Sequence, residues 1–222
     1  MRSSSDTWLR ILSYGGATLA ICWLIGAPEH VLANNDFCIE KPCFFRATAK
    51  PLPHGRSARK GIEFAMGKMR FNIPGKLKKV SMPTKGLLTI KLADGGGMTV
   101  RLVDNEDLLS LLPAAARAHK VTLAAAKIPQ IIFEKTPEDV EPTEANDKSI
   151  WRSMIMRKKF LFSNTSHLAR FDMAKFNTYV AEGVDGPFAM LALKEGGAYV
   201  EIQARHYPLH EFEKIITGVE TN

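Results

Sequence analysis

The sequence predicts an α+β protein, an antiparallel sheet or sheets flanked by helices. Three observations carry this expectation. Leu87–Leu92 and Met98–Val103 are alternating, β-branched-rich runs around Asp94-Gly95-Gly96-Gly97, the pattern of two strands joined by a glycine turn. The pattern returns about a hundred residues later in Phe188–Lys194 and Ala198–Gln203 around Glu195-Gly196-Gly197. A helical stretch follows each hairpin, Asn105–Leu112 and Leu209–Thr217.

From the N-terminus, the chain divides into residues 1–33, 34–135, 136–149 and 150–222. Arg2 and Arg10 precede an apolar run from Ile11 to Ala27, and Val31-Leu32-Ala33 has the form of a cleavage site. Residues 1–33 are therefore expected to be an export signal, cleaved near Ala33. The alternative is an inner-membrane anchor made by residues 11–27. That run is shorter than the roughly 20 residues of a spanning helix, and Ser13, Gly15, Gly16 and Thr18 dilute it. The expected location is periplasmic or secreted.

Residues 34–135 form the first half of the predicted domain. Phe64-Ala65-Met66-Gly67-Lys68 alternates as a strand with one buried face should, and Phe171-Asp172-Met173-Ala174-Lys175 repeats the rhythm in the second half, 150–222. The two halves read as a duplicated strand–hairpin–helix unit, with chance similarity the competing account. Asp104 is placed to cap the first helix, with Asp107 at the fourth position, and Pro113 interrupts it. Residues 136–149, with two prolines and five acids, predict an exposed acidic linker or loop. Ile150–Phe162 mixes Trp151, Met154, Ile155 and Phe160 with four basic residues, and its periodicity fits a strand or an amphipathic helix. The last helix carries Leu209, Phe212, Ile215, Ile216 and Val219 on one side, and Gly218 ends it.

Composition is that of an ordinary globular protein and does not indicate disorder: 45% of residues are hydrophobic and 24% charged. Charge is polarised along the chain. Lys41 to Lys91 holds thirteen Lys or Arg against Glu63 alone, whereas residues 92–147 hold five basic and ten acidic residues. The 41–91 stretch reads either as a face for an anionic envelope surface or as an ordinary solvated surface. Nucleic acid is not expected as a partner. Without Cys22, which lies in the export segment, Cys38 and Cys43 remain and are expected to form one structural disulfide.

Residue types that carry chemistry are present, but not in motifs. His206 and His210, followed by Glu211 and Glu213, resemble metal ligands in type, yet with Pro208 between them a regular helix cannot be assumed to place them on one face. Ser163, Ser166, His167 and Asp172 include the types of a hydrolytic triad, and Asn164-Thr165-Ser166 has the form of a glycan acceptor. No Gly-x-Ser-x-Gly elbow occurs, and no Gly-Lys-Ser/Thr follows the glycine turns. No catalytic residue, cofactor or metal is therefore expected.

Phe71-Asn72-Ile73-Pro74-Gly75-Lys76, the later hairpin and the closing Phe212-Glu213-Lys214-Ile215-Ile216 resemble the PsbP-like fold over residues 60–112 and 165–220. The resemblance implies a small antiparallel sheet flanked by helices, and binding to other proteins rather than catalysis. The function expected is an exported, non-enzymatic protein that binds another envelope macromolecule, with an inhibitor or immunity-type protein as the narrower form. The alternatives are an accessory subunit of an envelope complex and a periplasmic hydrolase using His167, His206 and His210.

Overall fold

The computed structural model describes residues 37–53, 61–110, 112, 117, 119–162 and 167–221; the expected export segment lies outside them. Strands β1 (Thr48–Ala49), β2 (Gly61–Met66), β3 (Met69–Pro74), β4 (Leu77–Thr84), β5 (Leu87–Leu92) and β6 (Gly97–Val103) precede three helices, α1 (Asn105–Ser110), α2 (Ile128–Glu134) and α3 (Ala145–Leu161). Strands β7 (Leu168–Asp172), β8 (Phe176–Gly183), β9 (Gly186–Leu193) and β10 (Tyr199–Arg205) follow, then α4 (Leu209–Thr217) and β11 (Glu220–Thr221). The fold is α+β.

The larger sheet runs β1-β7-β8-β9-β10-β6-β5-β4 and the smaller β11-β3-β2. All neighbours are antiparallel except β1 and β7. Both predicted hairpins form. Gly95 has φ 91° and Gly196 φ 149°, backbone that side chains rarely tolerate. In the first turn the Asp94 carboxylate also accepts the Gly96 N–H at 2.9 Å.

The two hairpins meet where β6 pairs with β10, so two three-stranded meanders, β4-β5-β6 and β8-β9-β10, lie side by side, each followed by a helix. The helices go to opposite faces. Leu108 of α1 joins one apolar cluster with Phe188 and Met190, whereas Phe212, Ile215 and Ile216 of α4 join the other with Ala189 and Leu191. A rotation about the sheet normal, which would superpose the meanders, cannot superpose these helices. The similar segments around Phe64 and Phe171 also lie in different sheets, in β2 and β7.

The large sheet is therefore the middle of three layers. One face packs on the small sheet and α4, through Leu88, Ile90, Met98, Val100, Val200 and Ile202 against Met69, Phe71, Ile73 and Phe212. The other packs on α2 and α3. There the Phe133 ring lies 5.0 Å from Phe162, 5.1 Å from Tyr179 and 6.4 Å from Phe188.

Local chemistry explains the helix ends. Asp104 Oδ1 accepts the N–H groups of Glu106 and Asp107, and Asp107 Oδ2 accepts that of Asp104, a reciprocal cap that starts α1. Residues 150–161 are helical. The stripe of α3 that faces the protein is Asp147, Ile150, Trp151, Met154, Ile155 and Lys158. Its polar members are satisfied: Asp147 accepts the N–H groups of Thr122 and Leu123, and Lys158 donates to the carbonyls of Cys43, Phe45 and Lys135. Residues 136–149 connect α2 to α3 and supply the first turn of α3; Asp139 pairs with Arg46, and Glu141 with Lys148 and Arg152.

Candidate interaction surface

The helix-side face of the large sheet is apolar over only part of its width. Tyr179, Ala181, Phe188, Met190 and Ala192 of β8 and β9 are buried beneath the helices, but the same cluster takes only Val103 from β6 and nothing from β4 or β5. Strand alternation points to this face the residues that alternate with those buried on the opposite one, Leu88, Ile90, Met98, Val100, Ile202 and Ala204. On β4, β5, β6 and the second half of β10 these are polar apart from Leu87, Gly97 and Val103.

The register arranges them in rows across the strands. Ser81 lies opposite Thr89, Thr89 opposite Thr99, and Thr99 opposite Gln203. Two residues along, Lys79 faces Lys91, Lys91 faces Gly97, and Gly97 faces Arg205. On the other side of the hydroxyl row, Arg101 lies between Leu87 and Glu201. Lys79, Lys91 and Arg205 are exposed, and Ser81, Thr89, Thr99, Arg101 and Gln203 are half-buried.

Two electrostatic features mark this patch. Among the described residues Lys79, Lys91 and Arg205 form no ion pair. Lys79 and Lys91 are also directly opposed, an arrangement of like charges that costs a sheet stability. At the covered border, Arg157 of α3 reaches Glu201 Oε1 at 2.6 Å. Burial works against the Arg157 charge, but Glu201 overrides it and raises the arginine's pKa. Burial, then the charge of Glu201, pushes Tyr199 up to about 12, with Arg157 and Arg101 opposing.

The edge strand β4 differs on its two sides. Leu77 and Val80 lie opposite Leu92 and Ile90, so they point toward the small-sheet side, where they remain 47% and 46% exposed. The backbone edge is poorly suited to receive another strand, because the register shifts between Leu77 and Lys79 and again between Ser81 and Thr84. Pro83 removes a donor as well.

The 41–91 basic stretch is not one surface. Arg46 and Lys50 lie by the β1 edge, where Arg46 pairs with Asp139, while Lys76, Lys78, Lys79, Lys85 and Lys91 surround the far edge of the same sheet. Arg56, Arg59 and Lys60 lie outside the described residues.

Other candidate residues have separate surroundings. His167 Nε2 is 2.9 Å from Glu213 Oε1, and Lys50 Nζ is 3.3 Å from its Nδ1. His206 occupies the exposed turn after β10 with φ 58°, and His210 is 68% exposed beside Glu211 on α4. Asp172 pairs with Arg170; Ser163, Asn164 and Ser166 lie outside the described residues. Among the described residues no three His, Cys, Asp or Glu side chains converge as metal ligands, and no helix is long and apolar enough to cross a membrane.

Cys38 and Cys43 form a disulfide, with Cα atoms 6.3 Å apart. Their loop is held on α3: the Phe37 ring meets Trp151 edge-on at 5.9 Å, Arg152 lies over Phe37, and Glu40 pairs with Lys159. A shallow depression of about 320 Å³ lies beside the C-terminal end of α4, bordered by Leu52, Pro53 and Met173.

Sequence reasoning recognised each hairpin but not the polar patch they build together. The signal was present in the alternating polar positions of Thr89/Lys91, Thr99/Arg101 and Gln203/Arg205. It becomes a surface only through the pairing of β6 with β10.

No protein-family model matches the chain, and no curated protein or solved structure matches it.

Proposed function

We propose that this is an exported protein without enzymatic activity that binds an anionic macromolecule of the cell envelope through the open face of β4, β5, β6 and β10. The observation that carries the reading is the opposed Lys79–Lys91 pair, with Arg205 in the same row, lacking counter-ions among the described residues. An anion placed between like charges converts a repulsion into two attractions. Such a protein acts by occupying its partner, as inhibitors, immunity-type proteins and accessory subunits do. Export is supported by the form of residues 1–33 and by a disulfide suited to an oxidising compartment. A PsbP-like relationship fits the antiparallel sheet flanked by helices and belongs to the same reading.

The test incubates purified protein with the envelope fraction of its own host and compares it with the Lys79→Glu/Lys91→Glu/Arg205→Glu variant. The wild type is expected to stay bound through a moderate-salt wash with a stoichiometric partner, and the variant to be released. Equal retention of the two, or none of either, defeats the proposal. Mass spectrometry of the secreted or periplasmic protein should find Asn34 at its N-terminus; a chain retaining residues 11–27 defeats the cleavage reading.

A further inference from the structure

We propose that the macromolecule held on this face is an extended polysaccharide bearing acidic groups, an inference that rests on the binding reading above. The first argument is spacing. Ser81, Thr89, Thr99 and Gln203 supply one hydrogen-bonding side chain per strand across four adjacent strands, and neighbouring strands lie about 4.8 Å apart. That interval is close to the length of one sugar ring, so an extended glycan crossing the strands meets one hydroxyl or amide per residue. An extended peptide repeats its same-side groups only every two residues, about 6.7 Å, and falls out of step.

The second argument is the chemistry of the patch. The hydroxyl row both donates and accepts hydrogen bonds, as sugar hydroxyls do. Lys79, Lys91 and Arg205 run beside it, and Arg101 stands across from them. A chain whose hydroxyls lie on Thr89 and Thr99 would therefore present its acidic substituents to cations on either flank.

The alternatives lack what they need on this surface. Single-stranded nucleic acid is held by aromatic stacking, and none of the residues in these rows is aromatic. A lipid surface takes up exposed apolar side chains, but the exposed Leu77 and Val80 point to the opposite side of the sheet, and Leu87 on this face is half-buried. Strand addition by an acidic peptide meets two register shifts and Pro83 along β4.

Affinity electrophoresis tests this with four probes: alginate as the acidic polysaccharide, dextran as the neutral one, polyglutamate, and phosphatidylglycerol vesicles. Alginate is expected to bind and the others to bind at least tenfold more weakly. Lys79→Gln/Lys91→Gln should abolish retardation by alginate. Thr89→Val/Thr99→Val, which keeps charge and shape, should weaken it about tenfold through two lost hydrogen bonds, while Leu77→Ser/Val80→Ser leaves it intact. Near-ultraviolet circular dichroism verifies that each variant is folded.

Polyglutamate or vesicles binding as tightly as alginate, or a threonine variant that binds normally, would reduce the patch to a general polyanion surface and overturn the proposal. Envelope retention that survives enzymatic removal of polysaccharide overturns this proposal alone. Loss of wild-type retention before any treatment overturns the binding reading as well.

Discussion

The helix-side face of the large sheet has two halves. Over β8 and β9 it presents Tyr179, Ala181, Phe188, Met190 and Ala192, which helices cover. Over β4, β5 and β6 it presents Lys79, Ser81, Thr89, Lys91, Thr99 and Arg101, left open or half-buried, with the half-buried Leu87 at the border. The same strand geometry and alternation serve both halves, so composition alone distinguishes them. The opposite face shows no such division, because Leu88, Ile90, Met98, Val100, Val180, Ala189, Leu191, Val200 and Ile202 continue the apolar surface from β8 to β5. The open half is thus mostly polar on one side and apolar on the other, the pattern of an antiparallel sheet with one solvated face.

The largest expected difference between the halves is mechanical. Phe133 of α2 is fully buried against three aromatic rings of the covered half. Truncating a buried phenylalanine typically costs about 3–5 kcal/mol, so Phe133→Ala should lower the urea midpoint strongly. Thr99→Ala, in the open half, should change stability by no more than about 1 kcal/mol. Equal effects in urea titrations would mean that the halves do not differ in cover.

Lys158 is the next largest. Its ammonium is buried in the covered layer and donates to the carbonyls of Cys43, Phe45 and Lys135. Lys158→Met leaves these acceptors without that donor, at about 1–3 kcal/mol for the unmet groups. Burial first, then Arg46, lowers the Lys158 pKa to about 7, with Asp139 opposing. An unfolded lysine titrates near 10.4. Between about pH 7 and that value the unfolded chain holds a proton that the folded chain has released. Stability contributed by this group therefore rises with pH across the window and is flat below it. Melting curves from pH 7 to 10 should show the rise in the wild type and not in Lys158→Met; parallel curves would assign the lysine another ionisation.

The Cys38–Cys43 loop closes onto the same helical layer. A loop this short removes about 2 kcal/mol of unfolded-state freedom, so Cys38→Ser/Cys43→Ser should lower stability by about that amount. Phe37 sits beside the disulfide and against Trp151, and tryptophan fluorescence should report its loosening. No fluorescence change together with full stability would detach the loop from α3.

The sequence made some of this legible and hid the rest for identifiable reasons. The hairpins declared themselves because alternation and glycine turns are local, and so did α1 and α4, through the Asp104 cap and the Phe212–Ile216 stripe. Helix α3 was ambiguous because Asp147 and Lys158 occupy its inward stripe, where apolar residues would have exposed the period. Their partners, Thr122, Leu123, Cys43, Phe45 and Lys135, come from other parts of the chain. The patch was hidden for a related reason. Thr99 and Gln203 are about a hundred residues apart in sequence, and only the antiparallel union of two meanders makes them neighbours.

The smallest expected change in stability separates folding from function most cleanly. Lys91 stands opposite Lys79 at the open edge, and both are exposed. Lys91→Glu replaces a cross-strand repulsion with an attraction, which in sheets amounts to about 0.2–1 kcal/mol, the low end applying to a site in water. The variant should therefore be slightly more stable than the wild type, and the gain should fade as salt is raised. Binding to an acidic polymer should fall at the same time, because the substitution places a carboxylate where the polymer's own acidic groups belong. A residue kept only to hold the sheet together would lose stability on replacement, and a residue kept only to deter edge pairing would leave polymer binding unchanged. Denaturant titration and alginate binding on the same preparation decide between these. A more stable protein that no longer binds identifies Lys91 as a position where stability is sacrificed for a ligand.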